Sequence, residues 1–315
     1  MKIEITFDTQ IVQSLYNTLI KSHNLIFKQL DIENIQSRFF GNGKICMLAC
    51  DGENPVGFAA GTYDNEKHCA YISFIGVLPE YIGQGVGKNL LLTLESQLLS
   101  CGSIEKIETV FHNPTQLPWL NPHKNGDGHP CAPGVDVSSL AYVFLKNNKY
   151  RDYAMQNAYY LNLDNYHYPK ELAESRGRLL AAGIEITYYD EQKHKGFYEL
   201  FDNINNTGWR KTVFAGLDKP IIVAVDTKTQ LVCGYTGPLS TDSDGRGNFC
   251  GIGTHTDYRG HGIGKLIFAS MCKFHSENGA KYMSLYTGET NPARNIYEAA
   301  GFCVVRSFAN MRKMI

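Results

Sequence analysis

The sequence predicts two α/β domains in tandem, each built on one mixed sheet, and three observations carry that prediction. The chain has 315 residues, which is long for one hydrophobic core and comfortable for two of about 150 residues each. A glycine-rich stretch occurs twice, at an offset of 177 residues. Around both copies strand-like and helix-like runs interleave, as they do where helices cover a sheet.

Composition excludes several classes. With 43% hydrophobic and 19% charged residues the chain reads as an ordinary soluble globular protein. Thirty basic residues face thirty-one acidic ones, a net charge of -1, so no global field draws nucleic acid or an anionic membrane. An anionic ligand must therefore be held by a local site. No apolar run approaches the length of a membrane span. Nine cysteines, most in apolar runs such as Ile45-Cys46-Met47-Leu48, read as buried free thiols in a reducing compartment. Cys46 and Cys50 lack a second close pair at zinc-finger spacing. A cytoplasmic protein is expected, with no nucleic-acid or membrane partner and no metal.

The elements follow in order. Residues 1–7 alternate like a strand, without the apolar core of a signal peptide. Residues 70–78 read as a strand that runs into Tyr81-Ile82-Gly83-Gln84-Gly85-Val86-Gly87-Lys88. Behind that stretch Leu91, Leu94 and Leu98 share one helical face, and Gly102 is placed to stop the helix. A strand is expected at 106–111. Residues near 113–137 have no counterpart in the second copy. They hold five of the eleven prolines and Trp119, and they read as a stiff wall or lid beside a cleft. His112, His123, Asp127, His129 and Cys131 gather there without a clean metal-ligand spacing.

Residues 158–163 read as a strand, and a boundary near 164–169 divides the chain into domains 1–165 and 166–315. In the second domain a helix is expected at 170–182 and a strand at 248–254. The second glycine stretch follows, Tyr258-Arg259-Gly260-His261-Gly262-Ile263-Gly264-Lys265. Ile267, Met271 and Phe274 form its helical face, Gly279 the stop, and 281–286 the next strand. Residues 293–302 then match 141–150 at an offset of 152. The two offsets differ by 25 residues, the size of the 113–137 insertion.

A strand, alternating glycines and a helix start make a phosphate site in principle. Glycines allow positive φ and a close backbone approach, and the unpaired N–H groups of the helix start carry partial positive charge. A dinucleotide fingerprint is excluded by context, and a P-loop by the absence of its Gly-Lys-Ser/Thr ending.

Arg259-Gly260-His261-Gly262-Ile263-Gly264 resembles the Arg/Gln-x-x-Gly-x-Gly/Ala signature of the GNAT superfamily of N-acetyltransferases. Asn291-Pro292-Ala293-Arg294-Asn295-Ile296-Tyr297-Glu298-Ala299-Ala300-Gly301-Phe302 resembles the family's second motif. The resemblance covers the C-terminal half and, more weakly, the N-terminal half; tandem members of the family share this layout. It implies two GNAT-like domains and acetyl-CoA as co-substrate. It implies pyrophosphate binding by Arg259, Gly260, His261, Gly262, Ile263, Gly264 and Lys265, with Asn291 and Ala293 contributing. It gives Tyr297 the role of general acid toward the departing sulfur, since a phenol of pKa about 10 is protonated at pH 7. Amides at Ile252, Gly253 and Thr254 are expected to polarise the thioester carbonyl, on a bulged, splayed strand edge suited by Gly251 and Gly253.

The base is not readable as a motif; Glu289 is the candidate, with His255 and Asp257 beside it. Deprotonating an α-amine of pKa about 7.7 at pH 7 costs about 1 kcal/mol, against about 4.6 kcal/mol for a lysine amine, which favours a low-pKa small-molecule or peptide amine. The first copy departs from the pattern: Ile82 stands for Arg259, Leu145 for Tyr297 and Lys149 for Gly301. The expected function is an acetyl-CoA-dependent N-acetyltransferase with its chemistry in the second domain. The alternatives are a non-enzymatic acyl-CoA sensor and an aminoacyl-tRNA-dependent transferase, the latter opposed by the absence of a basic balance.

Overall fold

Residues 1–109, 115–122, 124 and 126–315 are described by a computed structural model. The chain clusters into two units, 1–157 with 306–315, and 158–305. The sequence reading keeps 166–315 together, whereas residues 306–315 cluster with the first unit.

The first unit opens with β1 (Lys2–Ile5), α1 (Thr9–Ser22), α2 (Ile32–Phe39), β2 (Lys44–Asp51), β3 (Asn54–Asp64), β4 (Cys69–Val77), α3 (Val86–Ser100) and β5 (Lys106–Thr109). The strands lie in the order β1-β2-β3-β4-β5. Period-two alternation assigns each face. Met47 and Ala49 face Leu90, Leu91, Leu94 and Leu98 of α3. Cys46, Leu48 and Cys50 face α1 and α2 through Val12, Leu15, Tyr16 and Phe39. Strand pairing is antiparallel until β4 meets β5 in parallel at Cys69–Tyr71. Residues 311–314 then pair antiparallel with β5. Two buried carboxylates fasten that addition: Glu108 accepts from Arg312 Nε at 2.5 Å, and Glu95 from Lys313 Nζ at 2.6 Å.

Beyond β5 come three two-residue strands, β6 (Trp119–Leu120), β7 (Gly128–His129) and β8 (Val135–Asp136), then α4 (Leu140–Asn147) and β9 (Arg151–Asn162). Val110 and Phe111 of the expected 106–111 strand lie outside the described residues, as do His112, Asn113, Pro114 and His123. Gly102 does not cap α3 with a left-handed φ. A Cβ there would sit 2.1 Å from Asn65 Oδ1, so its glycine serves a close approach. Gly279, at φ +82°, does follow its helix, residues 263–277, in the expected way.

The second unit contains α5 (Lys170–Ala181), β10 (Ile184–Tyr188), α6 (Phe197–Ile204), α7 (Thr207–Phe214), β11 (Ile222–Asp226), β12 (Val232–Thr236), β13 (Arg246–Gly247) and β14 (Ile252–Thr254). It continues with α8 (Ile263–Glu277), β15 (Tyr282–Gly288), α9 (Arg294–Ala299) and the first residues of β16 (Cys303–Met314). The sheet β10-β11-β12-β14 is antiparallel. One face carries Ile222, Ala224, Cys233 and Ile252 against α8 and α9. The other carries Val223, Val225 and Tyr235 against α6 and α7.

The strand expected at 248–254 is broken. Arg246 and Gly247 pair in parallel with β15, whereas Ile252–Thr254 pair antiparallel with β12. Between them Gly251 takes φ +133°, a conformation side-chain-bearing residues avoid. Its carbonyl accepts from Thr236 Oγ1 at 2.9 Å. The Asn248 carbonyl faces His275 Nε2 at 3.0 Å, and the Asn248 amide group bridges Arg246, Asp242 and Ser240.

His275 is wholly buried on α8, and its Nδ1 has no partner among the described residues. Facing a carbonyl, Nε2 is the donor. Burial chiefly holds this imidazole below the usual histidine range, with Arg246 adding to the effect. A base whose folded pKa is depressed takes up its proton more readily when unfolded. Stability is therefore lost as pH falls below the unfolded value near 6.5, at up to about 1.4 kcal/mol per pH unit. The midpoint of thermal unfolding should fall between pH 7.5 and 5.5, and His275→Gln, which keeps a donor but does not titrate, should fall less. Parallel pH dependence of the two proteins in calorimetry would refute this.

Candidate active site

The two glycine stretches adopt one backbone conformation. Gly260 and Gly262 have φ +82° and +84°; Gly83 and Gly85 have +79° and +82°. Gly262 and Gly85 stand immediately before α8 and α3 as left-handed caps with no side-chain hydrogen bond. The first three amides of α8, on Ile263, Gly264 and Lys265, have no acceptor within the helix. A Cβ on Gly260 would meet nothing within 4 Å, and one on Gly262 only Ser175 Oγ at 3.6 Å. Open space thus lies against a run of donors at a helix start, which fits a pyrophosphate. Gly264 serves packing as well, since a Cβ there would lie 3.4 Å from Ile296 of α9.

Side chains fix the loop in the same way in both copies. Tyr258 donates to Asp226 at 3.1 Å, and Tyr81 donates to Asp51 at 3.2 Å. Sequence reading missed these aspartates, although each closes a strand ahead of its loop. Arg259 is exposed and its Nε donates to the Thr254 carbonyl at 3.1 Å. His261 and Lys265 are exposed.

The edge of β14 has a defined phase. His255 N–H donates to Cys233 O at 2.8 Å. With Tyr235 opposite Gly253, alternation commits the Gly253 amide to β12 and turns the Ile252 and Thr254 amides to the opposite edge, toward the split with β15. Of the three amides expected from sequence, two are directed outward.

Tyr297 lies on α9, 5% exposed, inside an aromatic box of Tyr159, Phe249, Phe268 and Phe302. Burial pushes its phenol up to about 12, so it holds its proton throughout the physiological range. Tyr159 donates to Glu298 at 3.2 Å, which orients the ring beside Tyr297. Glu289 is exposed in the turn after β15, and its carbonyl accepts from Arg294 at 3.0 Å. Asn291 starts α9 by accepting from the Ala293 amide at 3.0 Å, so these two residues shape the helix start. His255 Nδ1 accepts from the Asp257 amide at 3.3 Å. Cavities of about 350 Å³, near Tyr188 and Phe274, and 430 Å³, near Tyr153 and Arg312, are lined by none of these residues. Among the described residues no group of three histidine, cysteine or acidic side chains is placed to hold a metal.

The first unit treats its split differently. Among the described residues β4 pairs with β5 at Cys69–Tyr71, and the described part of the insertion lies against the strand beyond. Thr115 Oγ1 donates to Ser73 Oγ at 2.5 Å, and Leu117 is buried among Phe58, Phe74 and α1. Arg38 donates to the carbonyls of Thr115 and Gln116. Lys28 N–H donates to Pro118 O, Leu120 N–H to Ile26 O, and Trp119 Nε1 to Cys131 O. The described part of the insertion is thus hydrogen-bonded to Ile26, Lys28, Arg38 and Ser73.

An acetyltransferase (GNAT) family model matches residues 12–119, and an acetyltransferase (GNAT) domain model matches residues 218–304. Among curated proteins no relative matches the sequence. A GCN5-related glucosamine N-acetyltransferase region of a fungal multi-domain β-N-acetylglucosaminidase is similar in structure, with a TM-score of 0.67 at 16% identity; the match covers 99% of this chain and 38% of that one. A GCN5-related N-acetyltransferase from Sphaerobacter thermophilus matches at 0.62 and 15% identity, over 99% and 95% of the two chains. A tandem GNAT protein from the clavulanic acid biosynthesis pathway matches at 0.60 and 13%, over 99% and 98%. At these identities the likeness is one of fold.

If the insertion is part of the first unit's core, truncating it should act on stability. Leu117→Ala should cost about 2–5 kcal/mol, read as a lowered denaturation midpoint, with acetyl-CoA affinity unchanged. An unaltered midpoint would show that the segment only rests on the surface.

Proposed function

The chain belongs to the GNAT acetyltransferase family, and from that premise we propose that it acetylates a small-molecule or peptide amine from acetyl-CoA within residues 166–315, by direct attack of the amine on the thioester. The observation that carries this assignment is the contrast between the two splits. In the second unit the edge amides of Ile252 and Thr254 face a break where, among the described residues, no strand pairs with β14, and Tyr297 lies on α9 beside the sheet. In the first unit Thr115 of the insertion bonds Ser73 on the corresponding strand, Leu117 packs with Phe58 and Phe74, and Leu145 stands for the tyrosine.

The residues divide the work. The amides from Gly260 to Lys265 hold the pyrophosphate, and Arg259 adds charge at the loop's mouth. Ile252 and Thr254 amides stabilise negative charge on the thioester oxygen. Tyr297, kept protonated by its apolar box, delivers a proton to the departing sulfur. Glu289, on the turn beyond β15, takes the amine's proton through solvent. Because one structural neighbour is named a glucosamine N-acetyltransferase, amino sugars join α-amines as first acceptors to try. A cytoplasmic setting accords with nine free cysteines, and no described helix is long and apolar enough to cross a membrane.

Two variants test the reading. Gly262→Glu places a bulky carboxylate at the helix start, and calorimetry should show strongly weakened acetyl-CoA binding. Unchanged affinity in a folded variant would move the main site to the first loop, where Gly83 and Gly85 keep the same φ. Tyr297→Phe should lower turnover by about 10² or more with acetyl-CoA affinity nearly intact. Full activity would remove the general-acid role.

A further inference from the structure

Tyr235 is buried at 0% exposure on β12, yet its hydroxyl has no hydrogen-bond partner among the described residues. A hydroxyl taken out of water without a partner is destabilising, so its retention calls for a reason.

The internal repeat shows that packing does not require it. Offset by 177, the same place in the first unit is Phe58. The registers agree: Phe58 pairs with Gly76 on β4, and Tyr235 with Gly253 on β14. Both rings join the layer between the sheet and the paired helices that precede it. The next exchange is coordinated with the first. Phe74 stacks on Phe58 at 4.8 Å between centroids. Its counterpart is Gly251, the residue at the strand break. At the places of that apolar pair, Phe58 and Phe74, the second copy has Tyr235 and Gly251.

Trp209 of α7 covers that glycine. A Cβ on Gly251 would lie 3.1 Å from the indole, which packs against the Tyr235 cluster while remaining partly exposed. Ile204 closes the other side, near Gly253. The hydroxyl therefore belongs to the α6–α7 face, opposite the α8–α9 face that holds Tyr297.

Building on the acetyltransfer proposed for this same unit, we propose that Tyr235 is an acceptor-contact residue. Its phenol oxygen accepts an N–H of the incoming primary amine once the Trp209 indole moves off Gly251. The amine's lone pair is left free for the thioester carbon. The nucleophile then enters from the Tyr235 face and the thiol leaves toward Tyr297. Only a hydrogen bond is added, so the balance of the reaction is unchanged.

Tyr235→Phe is the test, and Phe58 shows that the fold accepts phenylalanine at this register. CoA-thiol release is followed with the fastest amine among glucosamine, lysine and an alanyl tripeptide. Where none exceeds water, acetyl-CoA hydrolysis is the rate compared, water then being the nucleophile held. Expected are a fall of about 10-fold in kcat/KM for the nucleophile, or in the hydrolysis rate, with the KM for acetyl-CoA unchanged and an unfolding midpoint equal to or above that of the parent. Parent-like kinetics would overturn the proposal. So would a lowered midpoint with equal losses toward both substrates, which marks a structural hydroxyl. Tyr297→Phe run alongside separates the two readings. If it is inactive while Tyr235→Phe is parent-like, only the acceptor contact fails. If it is fully active, the assignment of the site itself fails.

Discussion

One length of backbone cannot pair with two diverging strands, and the second unit is organised around that constraint. Residues 246–247 satisfy β15 and residues 252–254 satisfy β12. The four residues between them must find partners elsewhere, because buried peptide groups are costly when unpaired. Thr236 takes the Gly251 carbonyl, and His275 takes that of Asn248. Gly247 has no side chain because a Cβ would stand 2.7 Å from the His275 ring. The break is thus anchored from the sheet and from α8 together. The edge amides of β14 face outward because of it, and the glycine loop begins where β14 ends.

The loop depends on left-handed backbone in the same way. A side-chain-bearing residue in that region costs about 1–2 kcal/mol, and the pairs Gly83, Gly85 and Gly260, Gly262 avoid that cost in both copies. Conformation alone therefore does not distinguish the copies. What distinguishes them is whatever stands over the split. In the first unit an inserted segment offers its own hydroxyl and leucine to the splayed strand. In the second, a glycine and an indole occupy the corresponding ground. With a net charge of -1, binding of an anion rests on local amides and Arg259 rather than on a field of the whole protein.

Much of this was legible in the sequence, for definite reasons. Alternating glycines between a strand and an amphipathic helix have one economical conformation, so the loops and the helices behind them could be read from spacing. Tyr297 could be located from its motif, though not its aromatic box, because Tyr159, Phe249 and Phe268 come from three distant segments. The break at 248–251 was not legible as a change of partner: Phe249-Cys250-Gly251-Ile252 has the composition of a strand, and only pairing decides which neighbour each half joins. The anchoring pairs Tyr258–Asp226 and Tyr81–Asp51 were hidden by their separations in sequence, 32 and 30 residues. The insertion misled in the opposite direction. Its prolines suggest a stiff wall or lid beside a cleft, whereas the hydrogen bonds from Arg38, Lys28 and Leu120 depend on partners that composition does not reveal.

The placement of residues 306–315 could not be read at all, since nothing in an alternating strand names its partner. It has a consequence for how the first unit forms. The described part of β5 is four residues long and holds Glu108 in a buried position. Buried carboxylates without partners are strongly unfavourable. The partners of Glu108 and Glu95 include Arg312 and Lys313, which lie downstream of the entire second unit. Lys106 reaches Glu108 at 3.5 Å, and Tyr150 reaches Glu95 at 2.8 Å, so each carboxylate has one local partner in advance. The first sheet can therefore assemble from residues 1–157 but closes its parallel edge only when residues 311–314 arrive. Contacts spanning more than 200 residues are slow to form. The unit with the filled split is thus also the one whose sheet is completed last, and its stability is tied to synthesis of the half that carries the open split.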